Sequence, residues 1–293
     1  MKVYLSENGY LLSQIAGWNE LKVYLADTGV RFKSAHDEKL RGAESNDNLL
    51  CQAYSQTEKS GLGGEIFKGT SILQSFYYCD SFTEKVIIPN CENFLLDSGA
   101  FTFMSSTKKA VDWNEYLRKY IDFINRNKVT HFFELDIDTV IGYERVKELR
   151  RTLENGTGKP CIPVWHKTRG MDEYYRMCEQ YNYIAIGGIV SKEIVPQEYK
   201  YFPKFIKIAH DNGAKIHGLG FTNLQGLTKY HFDSVDSTTW TTGNRFGQVY
   251  TFDGKTVVQS KRKEGTRIAD HKAIALHNFT EWVKFQKYAE KYL

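Results

Sequence analysis

Five aspartates stand where they could serve one site. Asp97 closes the apolar run Phe94-Leu95-Leu96. Asp136 and Asp138 alternate in "HFFELDIDT", and Asp233 and Asp236 are three apart in "HFDSVDSTTW". A carboxylate at the end of a buried strand is costly unless it is partnered or used. Any one of them is as well explained by a helix or loop cap; aspartates ending three separate strands are harder to dismiss. Two carboxylates at one site are what glycosyl chemistry requires. One attacks the anomeric carbon, and the other manages the proton of the leaving group or acceptor. The oxocarbenium-like transition state calls for anionic neighbours rather than a metal, and no cysteine or histidine spacing here reads as a metal site. No cofactor is expected.

Other strand ends add polar and small residues. Ser98 and Gly99 follow Asp97. "CIPVWHK" delivers Trp165 and His166, "YIAIGGIV" delivers Gly187 and Gly188, and "KIHGLGFT" delivers His217, Gly218 and Gly220. Glycines at strand ends let a planar ligand approach backbone N–H groups; "IGGI" alone is equally well read as tight helix–strand packing. Trp165 could stack on a base and His166 could contact it or a phosphate. Core and rim positions are the alternative for both.

The elements that must position these residues alternate along the chain. From residue 94 onward, short β-rich stretches are separated by segments with apolar residues at helical spacing, such as "VDWNEYLRKYIDFINRNK" and "YERVKELRRTLEN". The tail, "FTEWVKFQKYAEKYL", reads as an amphipathic helix. Alternation with short links predicts an α/β fold of parallel strands covered by helices. With "KVYLA" near residue 23 as the first strand, about seven strands can be counted. A single-domain (β/α)₈ barrel fits best, and its active site would lie at the C-terminal strand ends. A doubly wound open sheet is the alternative, weakened by the lack of a GxGxxG after the first strand. "MKVYLSENG" and "LKVYLADTG" echo each other as two strand-like pieces closed by glycine turns. Residues 31–65 are polar and loop-like, a surface excursion or lid.

Composition narrows the class only slightly. At 293 residues, 41% hydrophobic and 25% charged, the chain can bury a full core without staples. A net charge of +4 permits an anionic partner without demanding one. The five cysteines include no CxxC pair, so a disulfide framework is not expected. "MKVYLSENGYLL" lacks a signal pattern and no apolar run reaches the ~18 residues of a membrane span. The expectation is a cytoplasmic protein without a membrane partner; monomer and homodimer both stay open.

"DSGAF", "LDIDT", "AIGGIV", "IHGLGFT" and "FDSVDSTTW…GNRFGQVYTFDG", in this order from Phe94 to Gly254, resemble the motifs of the tRNA-guanine transglycosylase family. The likeness is greatest to its compact phage and bacterial relatives, which are tied to 7-deazaguanine bases in DNA. The resemblance implies a TIM barrel that cleaves a base–ribose bond through a covalent aspartyl–sugar intermediate and then attaches another base. It makes Asp97 the acid/base and aligns Asp233 with the nucleophile, with Asp236 competing for that role. Asp136, with Asp138, would read the base edge. Gly187 and Gly188 would offer it backbone groups. Asn244, Arg245 and Gln248 would lie near the sugar–phosphate backbone. The basic run with Lys261, Arg262 and Lys263 would add phosphate contacts within a loop or hairpin over 241–268.

Departures from the family redirect the substrate. Members that act on tRNA carry a C-terminal CxCxxC…H zinc site, whereas this chain has no cysteine after Cys178 and so no zinc subdomain. "VWHK" also replaces an expected glutamine. DNA is therefore favoured over tRNA as partner, with a free 7-deazaguanine base as a possible second substrate. A duplex target would need its base flipped out, the aromatics of "FYYCD" (Phe76 to Asp80) being candidates to fill the gap. Base exchange is the first expectation. The alternatives are hydrolysis by the same site, which would make a DNA glycosylase acting on a modified phage base in antiphage defence, and a catalytically silent nucleic-acid-binding barrel.

Overall fold

The computed structural model describes residues 1–7, 62–99, 111–221, 223–242, 248–260 and 271–293. Eight parallel strands form one sheet: β1 (Lys2–Glu7), β2 (Ser71–Ser75), β3 (Asn93–Asp97), β4 (His131–Phe132), β5 (Val164–Trp165), β6 (Tyr183–Ile186), β7 (Lys215–Gly218) and β8 (Ser234–Ser237). Their order across the sheet is β4-β3-β2-β1-β8-β7-β6-β5. Every strand therefore neighbours its sequence neighbours, with β4 and β5 at the edges. The sheet curls until these edges meet at one parallel bridge between Phe133 and Ile162. There Ile162 N–H donates to Phe132 O (2.8 Å) and Glu134 N–H to Ile162 O (3.1 Å). Among the described residues one bridge, not a ladder, joins the edges.

The helices form where caps and apolar spacing coincide. Asp112 caps α1 (Trp113–Arg126) by accepting from the N–H groups of Asn114 and Glu115. Leu117, Tyr120, Phe123 and Ile124 fall on its buried face. After the single turn α2 (Asp138–Ile141), α3 (Tyr143–Thr157) buries Val146, Leu149 and Leu153 and stops at Gly158, whose φ of +66° glycine adopts without penalty. The crossovers that follow are α4 (Gly170–Gln180), α5 (Phe202–Asp211) and the short α6 (Leu224–Leu227). An antiparallel hairpin, β9 (Val249–Phe252) and β10 (Val257–Ser260), precedes α7 (His271–Tyr292). Gln286 of α7 donates to the carbonyls of Val3 and Ser71, which fastens that helix beneath β1 and β2. Among the described residues no helix is long and apolar enough to cross a membrane.

Strand parity decides what faces the site. Tyr4, Leu73, Leu95, Phe133, Ile162, Val164 and Ala185 pack together inside the curl. Residues of the other parity, including Val3, Ile72, Ile184, Ile186, Ile216 and Val235, pack against the helices. Because side chains alternate with period two, Asp97, His166, Gly187 and Asp236 share the inward parity, while Trp165 points to the helix layer.

Two expectations about strands need correction. "SILQS" is β2, buried along its whole length, although its polar residues hide it from a hydrophobicity reading. The first strand comes from "MKVYLSENG"; "KVYLA" near residue 23 lies outside the described residues. So does the expected insertion over 31–65 as far as residue 61; its last four residues open the 3₁₀ turn Leu62–Phe67. "NLQGLTKY" forms helix only over Leu224–Leu227. Phe76 of "FYYCD" packs on Tyr116, Tyr120 and Phe123 of α1.

Candidate active site

At the C-terminal ends of the strands the inward residues form a polar mouth. Asp97 ends β3 and is half-buried. Its Oδ2 accepts from Gly99 N–H at 3.1 Å in a tight turn where Gly99 has φ +75°. A side chain at Gly99 would also collide with Ser75 Oγ and Tyr77, so this turn requires glycine. Ser98 is buried, its carbonyl accepting from the Tyr116 hydroxyl at 2.6 Å. Burial, then the charge of Asp136, pushes the Asp97 carboxyl up to about 7; Asp236 adds to the rise, and the Gly99 N–H opposes it. Asp136, in the loop after β4, and Asp236, in β8, thus both lie within electrostatic reach of Asp97 at the end of β3.

Asp236 lies in β8 and, among the described residues, is held by three groups. Gly220 N–H donates to Oδ1 at 2.5 Å, His217 Nε2 stands 3.3 Å from the same oxygen, and Ser6 Oγ donates to Oδ2 at 3.1 Å. Gly220 can do this because the turn after Gly218 takes it to φ +71°, where a Cβ would strike Val190. Gly218 itself packs closely against Phe221 and Phe232. His217 is fully buried; its place is beside Asp236 rather than open in the mouth.

Asp233 does not join this group. It precedes β8, about 10 Å from Asp236 along the strand at the usual rise per residue. Its Oδ2 accepts from Ile216 N–H at 2.8 Å and meets His210 Nε2 at 2.9 Å, and its carbonyl accepts from Lys2 N–H. Those contacts pin the starts of β1, β7 and β8, at the opposite end of the sheet.

The "LDIDT" aspartates also part company. Asp138 receives both Nε (2.6 Å) and Nη2 (2.5 Å) of Arg169, a buried guanidinium that also donates to Glu134 at 2.7 Å. Glu134 is fully buried and accepts from Arg150 (2.6 Å) and Val164 N–H (2.8 Å) as well. Burial alone would raise the Glu134 carboxyl; the two guanidiniums outweigh it and hold it low. Asp138 is therefore fastened into a framework, and Asp136, between two anchored residues, is presented to the mouth. Sequence reading missed Glu134 and Arg169. Glu134 faces α3, where Arg150 is the buried cation.

His166 reaches the mouth between two carboxylates. Nε2 lies 3.5 Å from Asp136 Oδ2, and Nδ1 lies 3.1 Å from Glu193 Oε2. Burial would lower its pKa, but the neighbouring carboxylates, Asp136 foremost, raise it instead. Gly187 is glycine because its Cβ would sit 2.8 Å from the His166 ring, and Gly188 (φ +80°) because its Cβ would meet the Glu193 carboxylate at 2.9 Å. The Gly187 N–H is bonded to Trp165 O, so it is not a donor to a ligand. Ser75 Oγ is buried without a hydrogen-bond partner among the described residues, and His166 Nε2 has there only the long 3.5 Å contact with Asp136 Oδ2. Such atoms ask for a partner that a ligand can provide.

A comparison with protein-family models gives no match, nor does one with curated proteins.

Trp165 is not part of the mouth. It is 3% exposed, donates from Nε1 to Gly170 O at 2.8 Å, and packs on Tyr174 and Phe205. Trp165→Phe is expected to lower stability by about 1–2 kcal/mol, from the lost hydrogen bond and ring volume. Substrate KM should stay within about twofold, since no contact in the mouth changes. A tenfold rise in KM with unchanged denaturation midpoint would instead return Trp165 to the site. Of the expected nucleic-acid contacts, Gln248 is bound to Tyr250 and Asn278. Asn244, Arg245, Lys261, Arg262 and Lys263 lie outside the described residues.

Proposed function

We propose that this protein is a (β/α)₈-type enzyme that breaks the N-glycosidic bond of a nucleobase in nucleic acid, DNA before tRNA, and exchanges that base for another. The observation that carries the reading is the meeting of Asp97 and Asp236 at one mouth. The first is pushed up to about 7, and so can hold a proton near neutrality. The second is oriented by Ser6, His217 and Gly220. Environments that treat two carboxylates differently are a pattern for dividing acid and nucleophile roles.

The chemistry follows from that division. Asp236 attacks C1′ as the C1′–N bond breaks, its electron pair leaving with the base. Asp97 supplies the proton that neutralises the departing base. The resulting aspartyl–sugar ester is opened when a second base attacks C1′ and gives its N–H proton to Asp97, and the C1′–O electrons return to Asp236. Asp136 and His166 flank the position a base would occupy and complement its polar edge. The order of motifs along the chain, which resembles that of the transglycosylase family, supports base exchange over other glycosyl chemistry.

The test is mass spectrometry of small molecules released by the purified protein from DNA and tRNA, hypermodified phage DNA included. Exchange predicts little release until a 7-deazaguanine base is supplied, followed by its incorporation. Free base with alkali-labile sites and no added acceptor would make the protein a hydrolytic glycosylase using the same aspartates. No release or incorporation under either condition would overturn the reading.

A further inference from the structure

The orienting contacts of Asp236 do not end at His217. His217 Nδ1 stands 2.6 Å from Ser234 Oγ, and that oxygen meets the hydroxyl of Tyr183. Tyr183 and Ser234 begin β6 and β8, whereas Asp236 lies toward the mouth. A polar chain therefore runs up the inside of the curled sheet, through an interior otherwise filled by Tyr4, Leu73, Leu95 and Phe133. In a low-dielectric interior such a chain persists only if its protons find acceptors.

One arrangement gives each proton a protein acceptor. Tyr183 O–H donates to Ser234 Oγ, Ser234 O–H to His217 Nδ1, and His217 Nε2–H to Asp236 Oδ1. In the neutral Nδ1–H form an Nε2 lone pair would face the carboxylate, and one of the two hydroxyl protons of the Ser234–Tyr183 pair would be left without an acceptor in the chain. Burial pushes the Tyr183 phenol up to about 12, so the first donor of the chain keeps its proton at neutral pH.

The two oxygens of Asp236 are then unequal. Oδ1 faces His217 Nε2 and Gly220 N, which fill its two acceptor directions; among the described residues Oδ2 accepts from Ser6 Oγ alone. We infer that Tyr183, Ser234 and His217 are a positioning relay that fixes His217 as its Nε2–H tautomer and, with Gly220, ties down Oδ1, leaving Oδ2 of Asp236 as the attacking oxygen. This rests on Asp236 being the nucleophile. His217 is thus a positioning residue and not a reader of the base.

The experiment has a readout that does not depend on turnover. Long-range ¹H–¹⁵N spectra of the ¹⁵N-labelled full chain report the tautomer of each imidazole, and His217→Gln identifies the His217 signals by their loss. The expected wild-type pattern is a protonated Nε2 and an unprotonated Nδ1. Ser234→Ala should move both nitrogens toward the averaged values of exchanging tautomers, and Tyr183→Phe should do so more weakly. Tyr183→Phe serves alone if Ser234→Ala does not fold. On a substrate found by the base-release assay, Ser234→Ala should lower kcat about tenfold with KM unchanged, the effect of one weakened hydrogen bond felt in the transition state. A wild-type Nδ1–H or doubly protonated ring overturns the relay, as does a tautomer unmoved in both variants. The expected tautomer with no base released from any nucleic acid overturns the glycosyl reading and leaves the relay as a device that orients Asp236.

Discussion

Asp236→Asn is expected to abolish base release, with a fall of about 10⁴-fold in the single-turnover rate, while Asp233→Asn stays within about threefold of wild type. The two residues are three apart in sequence, and only geometry tells them apart. Asparagine keeps the shape of Asp236, and its carbonyl oxygen can still accept from Gly220 N–H or Ser6 Oγ. What it loses is the charge and the oxygen able to form the sugar ester. The fold should survive, and DNA binding measured by gel shift should persist. Asp233 ties Ile216 N–H and His210 at the far end of the strands. Its replacement should therefore appear as a modest loss of stability rather than of chemistry. Denaturing electrophoresis of the wild type with substrate DNA should also show a covalent adduct that Asp236→Asn does not form. Full activity in Asp236→Asn, or a loss confined to Asp233→Asn, would move the nucleophile to the other end of β8 and break the proposed mechanism.

The contrast shows where sequence reasoning reached and where it stopped. The alternation of β-rich and helical segments was legible because parallel strands buried on both faces read as apolar runs, and the helices carry caps and apolar spacing. β2 escaped because a strand closed by serines carries little hydrophobic signal even when wholly buried. Within the site, carboxylates at strand ends were visible as residue types. Their roles depended on parity and on which end of a strand each occupies, and a one-residue uncertainty in a strand boundary reverses parity. That is why Asp233 and Asp236 could not be separated, and why Trp165 and His166, adjacent in sequence, fall on opposite sides of the sheet. Glu134, Arg150 and Arg169 were missed for another reason. Their partners come from separate crossovers, and nothing local in the sequence announces a buried ion-pair network.

Asp97→Asn is expected to abolish base release and, at the same time, to raise stability above neutral pH. An aspartate of ordinary behaviour titrates near 3.8, whereas burial and the charges of Asp136 and Asp236 push folded Asp97 up to about 7. The folded protein therefore holds this proton more tightly than the unfolded chain does. By linkage the preference is fully present below about pH 4 and is lost as pH rises toward 7, so wild-type stability falls across that window. A displacement of roughly three units corresponds to at most about 4 kcal/mol; partial solvent access at the mouth reduces this to the order of 2–3 kcal/mol. Asparagine has no proton to lose and keeps an oxygen for Gly99 N–H, so its advantage should be near zero at pH 4 and full by pH 8. Chemical denaturation of both proteins at the two pH values measures this without any substrate. Parallel curves would mean that Asp97 titrates as an ordinary surface carboxylate and cannot serve as the acid. In the wild type the same proton sets the pH profile of the first chemical step. The protonated form is required, so single-turnover base release should hold steady from mildly acidic pH up to about pH 7 and fall roughly tenfold per unit above it. Stability and rate then report one carboxyl group, kept at a cost to the fold because the site needs its proton.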